Sequence, residues 1–127
     1  MTEFGTKRWP TEIRLKRAEK ALEVDFDDGR TFRYPAELLR VESPSAEVKG
    51  HGPGQEKIVA GRAHVGIIGV EPVGHYALRL RFDDLHDTGI YSWDYLYELG
   101  LRQAEIWDAY VTALAAQGLS REPPKRG

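Results

Sequence analysis

Cysteine is absent from the 127 residues. That excludes a disulfide framework, a thiol nucleophile and any site built from thiolate ligands within the chain. Iron–sulfur clusters hang mainly on cysteine thiolates, so a cluster held by this chain alone is not expected. An excess of positive charge is absent too. Eighteen basic residues against twenty acidic ones leave a net charge of −2, too weak a field to hold a polyanion, so nucleic acid is not an expected partner. Long apolar runs are missing. The longest, Val65 to Val70, falls far short of the roughly 20 residues a membrane-spanning helix needs. No leader pattern opens the chain. These absences lead to the expectation of a cytoplasmic protein with no membrane partner.

Catalytic signatures are missing as well. The glycine-rich stretch Gly50-His51-Gly52-Pro53-Gly54 lacks the Gly-Lys-Ser/Thr of a phosphate-binding loop. No Gly-x-Ser-x-Gly occurs, and no nucleophile, base and orienting group converge by spacing. A small-molecule enzyme is therefore the least favoured of three function classes.

What is present is a period of two. Ile13 and Leu15 alternate with Arg14 and Lys16, Leu22, Val24 and Phe26 with Glu23 and Asp25, and Phe32 and Tyr34 with Thr31 and Arg33. Such alternation marks half-buried strands. Asp28-Gly29 suits a tight hairpin turn between the second and third. Pro35 opens a short helix through Val41, stopped at Ser43-Pro44. Residues 43–62 show no period, and a loop of that length is usually functional or disordered. Val65 to Val70 reads as a central strand covered on both faces. Tyr76, Leu78, Leu80 and Phe82 form a one-face strand, and Ile90-Tyr91 a short extended piece. Ser92 is placed to cap a helix that Gly100 would end, and a last helix from about Arg102 to Gln117 is closed by Gly118. The fold class expected is α+β: one domain over residues 11–118, a mostly antiparallel sheet of about five or six strands with two or three helices packed on it. Residues 1–10 are read as a flexible lead-in and 119–127 as a flexible tail.

Three groups of residues are candidates for chemistry. Asp83, Asp84, His86 and Asp87 could offer oxygen and nitrogen ligands to a metal, or form a solvated turn in which Asp87 and Thr88 bond local backbone. His51 sits in the glycine-rich loop. Tyr91, Trp93, Tyr95 and Tyr97 could line a groove, or serve as core with polar tips. The apolar face of Trp107, Tyr110 and Leu114 could mediate a weak homodimer; its simpler use is packing on the sheet of a monomer.

Two blocks together resemble a family. They are Leu38-Leu39-Arg40-Val41-Glu42-Ser43-Pro44-Ser45-Ala46-Glu47-Val48 with Gly50-His51-Gly52, and Asp83-Asp84-Leu85-His86-Asp87-Thr88-Gly89-Ile90-Tyr91-Ser92-Trp93-Asp94-Tyr95-Leu96. With Leu22 to Gly29 they are similar to the gamma-butyrobetaine hydroxylase-like N-terminal domain, in its bacterial stand-alone branch. In the hydroxylases this domain precedes a separate iron- and 2-oxoglutarate-dependent catalytic domain, which these residues lack. It also carries a structural zinc site there, Cys-Pro-Cys-x-x-Cys with a distant His. The resemblance lays those ligands on Ser43, Ser45, Val48 and His86, so only the histidine survives, and serine and valine are no substitutes for thiolates.

Relatives are also found fused to, or beside, Mrp-type iron–sulfur carrier ATPases. The resemblance thus implies a non-catalytic accessory in iron–sulfur protein maturation, with the carrier ATPase or a client protein as partner and no cofactor of its own. The expected binding surface is Ser43, Pro44, Ser45, Glu47, His51, Gly52, Asp87, Thr88, Tyr91 and Trp93. The alternative is a metal-binding domain holding iron or zinc through His86 with His51 or nearby carboxylates.

Overall fold

A computed structural model describes residues 8–44, 58–86 and 89–123. The chain opens as an antiparallel meander: β1 (Pro10–Lys16), β2 (Ala21–Phe26) and β3 (Thr31–Pro35), in that spatial order. The alternating residues read in the sequence are the ones in register, with Ile13 opposite Val24 and Leu22 opposite Tyr34. On the outward face, Arg14 reaches both Glu23 and Asp25, and Arg33 reaches Glu23 and Glu19. Cross-strand charges of opposite sign thus hold the wet side while apolar residues hold the dry one.

Helix α1 (Ala36–Val41) follows at once, and all six of its residues are buried. A second meander comprises β4 (Ile67–Val73), β5 (Ala77–Phe82) and β6 (Ile90–Ser92). The six antiparallel strands and three helices among the described residues form the expected α+β domain, with the strands divided into two sheets of three. Leu22, Val24 and Tyr34 of the first sheet share one core with Leu78, Leu80 and Phe82 of the second, and α1 contributes Leu38 and Leu39 to it.

The Val65 to Val70 run is not a central strand. Among the described residues β4 pairs only with β5, and Ile68 is 47 % exposed. The run looked two-sided because a register shift between Ile67 and Gly69 turns one apolar side chain outward. Pro72 belongs to β4 rather than ending it, as an edge strand permits.

Ser92 caps α2 (Trp93–Leu101), accepting from the Tyr95 N–H at 3.1 Å. Gly100 does not stop this helix. It lies inside α2, where a Cβ would come within 2.3 Å of the Phe32 ring, so its smallness lets α2 lie close on β3. α3 (Gln103–Ala116) ends as expected at Gly118. There φ is +67°, and the Gly118 and Leu119 N–H groups return to Ala115 and Leu114. Tyr110 and Leu114 are buried against Val41 and the segment Ile58–Ala60. The Tyr110–Leu114 part of the α3 face thus packs on α1 and residues 58–60, while Trp107 and Ile106 also meet the main core.

The ends of the domain reach beyond residues 11–118. Pro10 is in β1, and Arg8 stacks on the Tyr97 ring. Of the tail, Ser120 and Arg121 accept backbone hydrogen bonds from Gly61 and Ala63, which ties that stretch to the body.

Candidate functional site

The first motif block begins in α1 and runs past its C-terminus, and the second crosses the β5–β6 connection. The fold brings the two together. Ser43 Oγ and His86 Nε2 lie 3.0 Å apart in a hydrogen bond, Ser43 fully buried and His86 nearly so. Behind them stands Gly89, where a Cβ would fall 2.4 Å from Ser43 Oγ. Tyr91 closes the cluster and donates to the Leu39 carbonyl at 2.5 Å, while Tyr95 donates to the Glu42 carbonyl at 2.5 Å. Both hydroxyls thereby satisfy carbonyls at the end of α1 that the helix leaves open. Burial pushes both phenols well above their ordinary range.

Beside this cluster, Asp84 receives two guanidinium groups on one oxygen, Arg40 Nε at 2.8 Å and Arg62 Nε at 2.7 Å. Its other oxygen accepts the His86 backbone N–H at 3.2 Å. Burial alone would raise the Asp84 carboxyl. The Arg40 and His86 hydrogen bonds and the two positive charges outweigh it, and the group lies below the ordinary carboxylate range. The result is a rigid connection from α1 through Asp84 to the β5–β6 turn.

A serine hydrogen-bonded to a histidine is also the first half of a nucleophile and base. Here the hydroxyl is sealed, with Gly89 and Tyr91 packed against it, so no substrate carbonyl can approach. The same geometry answers the zinc question. Ser43 and His86, the two of the positions on which the resemblance lays zinc ligands that are described, are hydrogen-bonded to each other. A hydroxyl supplies no thiolate, so these residues do not fit that zinc. Among the described residues no group of three or more His, Asp or Glu side chains could hold a metal ion.

Of the expected binding surface, Ser43, Tyr91 and Trp93 are buried and form no surface. The Trp93 indole N–H donates to the His75 carbonyl at 2.8 Å, so its polar tip is also used inside. Pro44 is half-buried. Ser45, Glu47, Val48, His51, Gly52, Asp87 and Thr88 lie outside the described residues. Sequence reasoning missed the Arg40–Asp84–Arg62 cluster, whose members are up to 44 residues apart. The available signal was Glu37 and Arg40 in a six-residue helix otherwise made of Ala, Leu and Val, where two charged residues so placed need partners.

The family model for gamma-butyrobetaine hydroxylase-like N-terminal domains matches residues 13–97. The chain belongs to this family. Among solved structures, the chain is similar to two determined by NMR in solution. One is 46 % identical, with a TM-score of 0.82 and 95 % of each chain covered. The other is 45 % identical, with a TM-score of 0.80, covering 100 % of this chain and 95 % of that one. A crystal structure of a protein of unknown function from Acidithiobacillus ferrooxidans, described as a DUF971 family member, is 45 % identical. It has a TM-score of 0.61 and covers 72 % of this chain and 91 % of its own. No curated protein matches the chain. The matched stretch ends within α2, and the remaining residues build α3 and its exit. These 127 residues therefore hold the N-terminal domain of the hydroxylase-like family and not the separate catalytic part.

One residue of the second block stands apart. Leu85 is 87 % exposed and adopts φ +73°. Its turn repeats the one at residues 26–30. There Gly29 N–H bonds to Phe26 O at 3.0 Å and Phe26 N–H to Arg30 O at 2.8 Å. Here Leu85 N–H bonds to Phe82 O at 3.1 Å and Phe82 N–H to His86 O at 3.0 Å. Gly29, at φ +89°, fills the left-handed place in the first turn, and leucine fills it in the second. Among the described residues no helix is long and apolar enough to cross a membrane.

Proposed function

We propose that this protein is a non-catalytic docking module in iron–sulfur protein maturation, that it acts on an Mrp-type carrier ATPase in the cytoplasm, and that Leu85 anchors the contact. Leu85 carries the reading. A left-handed leucine costs about 1–2 kcal/mol, and with 87 % of its surface in water it recovers almost none of that by burial. The same chain solves the same turn with glycine at position 29, so the cost at position 85 is not imposed by the turn. Backbone strain at an exposed apolar tip is what a recognition surface uses. Asp83, exposed beside it, favours a partner whose apolar pocket has a basic rim. The rigid Ser43–His86–Asp84 assembly supports the reading by holding this tip in place. The choice of carrier rests on the resemblance drawn from the sequence, in which relatives lie fused to or beside such ATPases.

Capture of the purified carrier ATPase on immobilised protein tests this directly. Leu85→Asn should abolish capture while leaving stability equal or higher, since asparagine tolerates the left-handed region. Capture by the Asn variant equal to that of the unmodified chain would sink the assignment.

A further inference from the structure

On the side of the domain formed by α1 and the start of α3 lies a groove of about 490 Å³. Its size falls in the range of small-molecule sites, roughly 300–1,000 Å³. Pro35, Leu38, Ala104 and Trp107 make its walls mainly apolar. We propose that it binds a small carboxylate carrying an apolar, flat body.

Two observations converge on that chemistry. Arg121 lies over the Trp107 ring, 5.3 Å from its centre, and is pinned by Glu37, which accepts from Nε at 2.9 Å and from Nη2 at 2.7 Å. A guanidinium has five donors in one plane, and this pairing uses one edge. The Arg121 side chain is 48 % exposed, so its outer edge is reachable, whereas Glu37 is 7 % exposed and turns both oxygens to Arg121. A ligand in the groove thus meets a held guanidinium fork and no free carboxylate. Gln103 and Ala104, which line the groove, open α3 directly after the end of α2. The exposed edge of Trp107 adds apolar contact for the flat body of such a ligand. A cation would be repelled by Arg121, and a neutral molecule would gain only the apolar walls. The site is separate from the Leu85 tip, and its test is independent of the docking reading.

The test is amide-resolved NMR titration of the full chain with 3-phenylpropionate and, separately, with its neutral amide 3-phenylpropanamide. The acid should shift Gln103, Ala104, the Trp107 indole and Arg121 in a saturable manner, and the amide should bind about tenfold more weakly, the loss of one charge-assisted pair. Arg121→Gln should bring the acid down to the level of the amide and leave the amide unchanged, which also shows that the groove survives. If Arg121→Gln does not fold, Ala104→Glu, on an exposed helix position, should abolish acid binding by placing a carboxylate at the mouth. Equal binding of acid and amide, no shifts in the groove up to about 10 mM ligand, or undiminished acid binding by Ala104→Glu would each overturn the proposal.

Discussion

A methyl group at position 89 has nowhere to go. Ser43 Oγ would lie 2.4 Å from it and the Tyr91 ring 3.1 Å, and Ser43 cannot retreat without leaving His86. Gly89→Ala should therefore destabilise the domain by about 1–3 kcal/mol, the usual cost of overpacking a core. A urea unfolding midpoint as high as that of the unmodified chain would contradict this. The Ser43–His86 contact spans 43 residues and was not legible from period or spacing, because polar pairs inside a core are specified by the packing around them. Only the family pattern, which set positions 43 and 86 around one metal, put them in one place. The buried state of Tyr91 and Trp93 was open to either reading from sequence, and the carbonyls they find at Leu39 and His75 decide it.

Helix α1 is the element on which the others lean. With six residues it is too short to be stable alone, and its stability comes from burial on every side and from two phenols that cap its end. Removing one cap, Tyr95→Phe, should cost about 1 kcal/mol, measurable by chemical denaturation. An unchanged midpoint would show that the carbonyl finds water instead. Most elements were legible because their signals are local: alternation for β2, β3 and β5, the Ser92 cap for α2 and Gly118 for the end of α3. The errors came where a local signal has two meanings. Gly100 reads as a helix stop, yet here it serves a close approach to Phe32. An apolar run reads as a central strand, yet β4 lies at an edge and a register shift turns Ile68 outward.

Over the whole molecule, the outward face of the first sheet couples stability to pH. The Arg14 hydrogen bond, with help from Thr31, lowers the Asp25 carboxyl from 3.8 to about 2, and Arg14 with Arg33 lowers Glu23 as well. A carboxylate lowered by folding adds stability above its unfolded value, and that contribution is lost as pH falls through the folded one. Stability should therefore be level above about pH 5 and fall between about pH 4 and 2. Arg14→Met should flatten that fall, and acid unfolding followed by circular dichroism checks it. A fall of equal steepness in the variant would remove these carboxylates as its cause. The division of six strands into two sheets was not legible, because which strands pair across long connections depends on the core they share and not on the strands themselves.

The paired turns at 26–30 and 82–86 carry a consequence for how this sequence changes over generations. Both demand one left-handed residue, but only the first is filled to suit the turn itself. Under the docking proposal, a lineage that kept the fold and lost the partner would hold glycine at position 29. Position 85 would drift toward glycine or asparagine within the neutral set that the backbone allows.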